Sequence, residues 1–186
     1  VTGQIRPLPR DVGYAVREAR GDDLDAIREL GLAAFPAAYE GVVEPELISL
    51  LLAKWWTKDA LIPSIRAGRA FVAEDKAGRL LGMCSYGPLD GSYVLWKLCV
   101  ATDARGRGVG GALLTAAQER AREAVVPLRI TYTDGNRQAP AFCARHGFVE
   151  VGREEQTGMP EVVWMAQAGT SSAGATPAVD EREDQR

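Results

Sequence analysis

Apolar residues recur along the chain with two periods, and the switches between them mark out its elements. Tyr14 to Glu18 has the short pattern of a strand. Asp22 can cap the helix that follows, acidic residues fill its first turn, and Leu24, Ile27 and Leu30 continue at helical spacing. Pro36, after Phe35, ends or kinks that helix. A second helical region spans about Glu44 to Ala67. There Leu47, Ile48, Leu51, Leu52, Trp55 and Trp56 recur three and four apart, a stripe that reads as core packing. Pro63 divides this region or falls in its final segment.

Strand patterning returns at Ala70–Glu74 and Leu80–Tyr86, joined by the turn Asp75 to Arg79. Gly87 to Gly91 predicts a further turn. Tyr93–Val100 is apolar enough to predict a buried strand. After Gly106–Gly111 comes a helix with Val109, Leu113, Ala117, Ala121 and Ala124 on one face and Thr115, Gln118, Glu119 and Arg122 on the other. Leu128–Tyr132 predicts a strand and Asp134-Gly135-Asn136 a turn. A short helix then reaches His146, where Gly147 stops it, and Phe148–Val151 and Glu161–Ala166 predict the last strands. This order predicts an α+β (α/β three-layer) fold around a mixed sheet. Residues 1–13 read as an irregular lead-in, 14–167 as one domain, and 168–186, rich in small and charged residues without apolar period, as a disordered tail.

Composition narrows the function. The 186 residues suit one domain with a sizeable core. A net charge of −3 makes no general electrostatic case for nucleic acid or an anionic membrane as partner, and no apolar run approaches a membrane span. The N-terminal stretch has no signal-peptide core. Cys84, Cys99 and Cys143 cannot all pair and, with one histidine, assemble no zinc site; a reduced, cytoplasmic setting follows. Abundant alanine, glycine and arginine suggest a GC-rich bacterial source.

The strongest chemical signal is a strand, a glycine loop and a helix in succession: Leu98-Cys99-Val100, then Arg105-Gly106-Arg107-Gly108-Val109-Gly110-Gly111, then Ala112-Leu113-Leu114. A helix start leaves free N–H groups with partial positive charge, glycines clear the approach to them, and two arginines stand close by. That combination fits a pyrophosphate; a glycine-rich turn with exposed arginines is the alternative. No Lys-Ser or Lys-Thr follows, which excludes a P-loop. Gly106, Gly108 and Gly111 match GxGxxG literally, and a nicotinamide-dependent oxidoreductase would follow from it. However, half the chain precedes the match, Glu123 falls within the helix, and Asp134 is too far along.

Arg105-x-x-Gly108-x-Gly110 after Leu98-Cys99-Val100 resembles the acetyl-CoA motif of the GNAT superfamily, R/Q-x-x-G-x-G/A. Asn136-x-x-Ala139-x-x-Phe142-Cys143-x-x-x-Gly147-Phe148 resembles the family's second block, and Arg17-Glu18-Ala19 to Ile27 its opening. The resemblance implies a mixed, mostly antiparallel sheet flanked by helices, with an acyl-CoA cleft between Tyr93–Val100 and Leu128–Tyr132 where these parallel strands splay apart. It implies acetyl-CoA as co-substrate, no metal, and direct transfer to an amine of a small molecule or peptide, with a homodimer allowed. Leu98 and Val100 would offer backbone groups to the pantetheine arm, beside Cys99. Arg107 to Gly111 would hold the pyrophosphate, and an N–H near Val100 would polarise the thioester carbonyl. Asn136, Ala139 and Phe142 would line the distal wall, although Asn136 also suits a helix cap and Phe142 a core position.

Several positions depart from the family pattern or stand outside it. Cys143 replaces the tyrosine that often protonates the leaving thiolate, so general acid, nucleophile and buried filler are its open roles. The positions where a base often stands fall at Val94 and Thr131, which are not acidic. A non-catalytic acyl-CoA-binding or regulatory module is therefore the alternative function. His146 reads as a helix-end residue facing the dipole, and Trp96 and Lys97 as packing and edge residues. Tyr39 and Glu40, between the first two helical regions, are the candidate acceptor contacts, with Glu40 a candidate catalytic residue.

Overall fold

A computed structural model describes residues 13–41 and 43–169. The expected lead-in before Gly13 and the expected tail beyond Gly169 lie outside the described residues. Among the described residues seven strands form one sheet: β1 Tyr14–Glu18, β2 Ala70–Asp75, β3 Leu80–Leu89, β4 Ser92–Val100, β5 Leu128–Thr133, β6 Phe148–Gln156 and β7 Met159–Gln167. Their order is β1-β2-β3-β4-β5-β7-β6, and only β4 and β5 run parallel. Five α-helices among the described residues flank the sheet: α1 Leu24–Tyr39, α2 Pro45–Trp55, α3 Lys58–Arg66, α4 Val109–Glu123 and α5 Ala139–Arg145. This is the three-layer, mostly antiparallel architecture expected.

The boundaries differ at several places. The region 44–67 is two helices, parted at Trp56 and Thr57, where the Thr57 hydroxyl caps α3 by accepting from Ala60 N–H. Pro63 lies inside α3. Pro36 does not end α1, which runs on to Tyr39, so Tyr39 is helical and the connection begins at Glu40. A proline removes one donor, and here the helix continues past the lost bond. β3 carries on through Gly87 and Pro88, and the turn shrinks to Asp90-Gly91, both at positive φ, as a two-residue hairpin requires. β6 and β7 are both longer than their apolar cores.

Each sheet face has its own core. On one side α4 and α5 bury Val109, Leu113, Ala117 and Cys143 against Leu81, Leu95, Ile130 and Val163. On the other, Ile27, Leu30, Trp56 and Leu61 pack on Val72 and Met83. At the start of α1 the buried Asp23 takes two hydrogen bonds from the Arg17 guanidinium, at 2.7 and 2.9 Å, which hold its carboxyl below the usual range.

Candidate functional site

The site follows from an irregularity in β4. Leu95 stands opposite Tyr86, but Lys97 stands opposite Ser85, so Trp96 is the extra residue of a β-bulge. Before the bulge, the Tyr93 N–H points at β5 and bonds the Pro127 carbonyl at 2.9 Å. After it, the Ala101 N–H points at β3 and bonds the Leu81 carbonyl at 2.9 Å. Alternation then turns the backbone groups of Leu98 and Val100 away from β3. They find no strand there: β4 and β5 pair only from Tyr93–Leu128 to Leu95–Ile130.

A cleft of about 1310 Å³ opens where the two strands part. One end is the start of α4. Gly108 stands before it at φ 82°, a left-handed conformation open to glycine, and the first N–H groups of the helix lack intrahelical partners. A side-chain carbon at Gly110 would stand 3.3 Å from Phe142, and one at Gly111 3.0 Å from the His146 imidazole. The glycines thus keep both the ligand face and the α4–α5 contact open. The Phe142 and His146 rings lie 4.6 Å apart. Asn136 Oδ1 accepts from the N–H groups of Gln138 and Ala139, so it organises the entry to α5 while also lining the cleft.

Of the residues singled out in the sequence, Leu98, Cys99, Val100, Arg105, Gly106, Val109, Gly108, Gly110, Gly111, Asn136, Ala139, Phe142, Cys143 and Tyr39 all line this cleft. Arg107 and Glu40 do not; both are exposed. Cys143 is 1% exposed, and burial pushes its thiol up to about 11. Cys84, Cys99 and Cys143 are all free thiols. Trp55 and Trp56 pack with the core as expected, and both also line the cleft.

Among the lining residues that escaped the sequence reading are Trp96, Lys97, His146, Glu154 and Trp164. Trp96 and Lys97 are drawn in by the bulge, which no residue pattern announces. His146 does end α5, but tertiary packing also lays it over Gly111. Glu154 lies beyond the predicted end of β6, where Gly152 breaks the apolar run. Among the described residues no cluster of three or more His, Cys, Asp or Glu is placed to hold a metal, and no helix is long and apolar enough to cross a membrane.

Residues 66–150 match the family profile described as Acetyltransferase (GNAT) domain. That segment of the chain is similar to a GNAT domain. PaiA N-acetyltransferase from Thermoplasma acidophilum, solved in complex with coenzyme A, superposes with a TM-score of 0.69 at 17% identity, over 81% of this chain and 97% of that one. The ribosomal-protein-S18-alanine N-acetyltransferase from Escherichia coli gives 0.62 at 17% identity, over 83% and 92%. A ribosomal-protein-alanine N-acetyltransferase from Brucella melitensis gives 0.59 at 28% identity, over 81% and 97%. A search of curated protein sequences returned no match. The matched GNAT segment contains β2 to β5, the glycine loop, α4 and α5, and so most of the cleft described above.

Proposed function

We propose that this GNAT-like domain is an N-acetyltransferase that passes an acetyl group directly from acetyl-CoA to an amine of a small molecule or peptide. The parting of β4 from β5 beside the glycine-bearing start of α4 carries this reading. The pantetheine arm runs along the unpaired edge of β4 and bonds the backbone of Leu98 and Val100 as an added strand would. The pyrophosphate sits on the N–H groups of Gly108 to Gly111, with Arg105 beside it. Asn136, Ala139 and Phe142 form the far wall, and Tyr39 faces the acceptor. The coenzyme A in the Thermoplasma structure supports a ligand of this class.

The amine nitrogen attacks the thioester carbonyl carbon, and charge builds on the carbonyl oxygen, where the Val100 N–H donates. The C–S bond then breaks, CoA leaves as the thiolate, and the nitrogen gives its proton to water. Holding both reactants in one cleft supplies much of the acceleration. A thiol of the cysteine kind titrates at about 8.5, so the leaving group departs without obligatory protonation. The cleft is consistent with the lack of acids at Val94 and Thr131 under this scheme. A cytoplasmic setting goes with this reading, because the free thiols of Cys84, Cys99 and Cys143 suit a reducing compartment.

Calorimetric titration with acetyl-CoA tests the donor site. Gly108→Asp sets a carboxylate at the mouth of α4 and is expected to weaken binding ~10-fold or more. Unchanged affinity in a folded variant removes the pyrophosphate assignment. Acetyl-CoA binding without thiol release for any member of an amine panel would leave a non-catalytic acyl-CoA-binding module.

A further inference from the structure

The half of the cleft away from the glycine loop is walled by aromatic rings. Phe35, Tyr39 and Trp55 reach it from α1 and α2, Trp96 from the β4 bulge and Trp164 from β7. Trp96 meets Trp164 edge to face at 6.2 Å, and Trp164 Nε1 donates to Glu154 Oε2 at 3.1 Å. That bond fixes the orientation of a carboxylate from β6 and leaves its other oxygen without a hydrogen-bond partner among the described residues. Glu154 is the only carboxylate among the described residues lining the cleft. The other charged side chains there, Lys97, Arg105 and Arg145, are cations. Arg105 and Arg145 flank the glycine loop and the end of α5, where an anionic donor suits them.

We infer that this aromatic half is the acceptor subsite, that it takes an amine carrying an apolar, ring-sized body, and that Glu154 binds the acceptor's ammonium group. The inference rests on the N-acetyltransferase reading above for the word acceptor, but the subsite itself rests on the residues of this half alone. A carboxylate with one free oxygen makes a charge-assisted hydrogen bond to an ammonium, and tryptophan faces attract the same cation. The rings exclude water from the body of the ligand and reward an apolar one. Lys97 on β4 repels an ammonium from the bulge and so favours the Glu154 end. Glu154 is assigned a binding role, with no part in breaking the thioester: the held ammonium gives one proton to water, and the neutral amine then attacks as described above.

Tryptophan fluorescence, titrated with phenethylamine in the absence of any acetyl donor, reads the subsite directly. Saturable quenching is expected, because the ligand lies against Trp96 and Trp164. Glu154→Gln keeps an oxygen for Trp164 Nε1 and removes the charge; phenethylamine binding should weaken ~10-fold or more, the loss of one charged hydrogen bond. The neutral 2-phenylethanol should bind the wild type as weakly as phenethylamine binds the variant. No saturable quenching, equal affinities in wild type and Glu154→Gln, or equal binding of the amine and the alcohol would each overturn the subsite. Were the variant unable to fold, the amine–alcohol comparison on wild type decides alone. With acetyl-CoA present, the variant should show a raised KM for phenethylamine and an unchanged acetyl-CoA affinity. Saturable amine binding with no acetyl-CoA binding would defeat the transferase reading and leave the subsite standing.

Discussion

At the scale of single residues, Cys143 shows how placement settles what residue type leaves open. From its position in the motif it could act as acid, nucleophile or filler. Its side chain packs in the core formed by α4, α5 and the sheet at the wall of the cleft, and burial pushes its thiol up to about 11. At neutral pH the thiolate is then about one part in 10⁴ of the total, too scarce for a nucleophile without a base to activate it. The acid role rested on an ordinary thiol pKa near 8.5, and burial removes that match. Cys143→Ala and Cys143→Ser are therefore expected to keep kcat within a few-fold of wild type. Incubation with acetyl-CoA alone should leave no acetyl adduct on the protein by intact mass. A loss of about 100-fold in a folded Cys143→Ala variant would show instead that the thiol moves a proton.

At the scale of elements, the ones that periodicity made visible are those that bury a continuous stripe, and their ends were the least legible. Leu24, Ile27 and Leu30 announce α1, but nothing in the string says that Gly31 faces the Trp56 ring. A side-chain carbon at Gly31 would stand 1.8 Å from Trp56 Cε3, so the glycine is what lets α1 approach the tryptophan at the end of α2. Gly31→Ala forces the helix or the ring to move, and overpacking of this kind costs about 1–3 kcal/mol or more. Urea unfolding should show that loss at unchanged slope; an unaltered midpoint would mean the α1–α2 contact is loose. The β4 bulge was illegible for a related reason. It arises from the register between β3 and β4, a relation between two segments, and it decides that Leu98 and Val100 face the cleft. The leading motif residues could be placed because their chemistry is local: a glycine loop entering a helix reads the same in sequence and in space. Pro88 misled the turn prediction because it sits beyond the end of β2, paired with Tyr93 where no N–H is owed to β4.

At the scale of the whole molecule, one cleft crosses from the helix-dipole end of α4 to the aromatic wall under α1 and α2, and its charges are sorted along the way. Arg105 and Arg145 stand with the free N–H groups at one end, and Glu154, the one carboxylate among the described lining residues, stands among the rings at the other, with Lys97 at the bulge. An anionic donor and a cationic acceptor are thereby drawn to opposite ends and meet where β4 leaves β5. The same arrangement separates the donor reading from the dinucleotide reading that GxGxxG invites. A ligand that binds only the folded chain at 100 times its Kd adds about 2.7 kcal/mol of stability. For a chain of this length that raises Tm by ~5–10 °C. Acetyl-CoA and CoA are expected to produce such a shift, and NAD and NADP none, since β5, the strand after α4, carries no acid into the cleft to hold a ribose. The acetyl-CoA shift should shrink as salt rises from low to about 0.15 M, because Arg105 and Arg145 are reached from solvent and their pull on phosphate is screened. A shift with NAD and none with acetyl-CoA would return the glycine loop to the dinucleotide class.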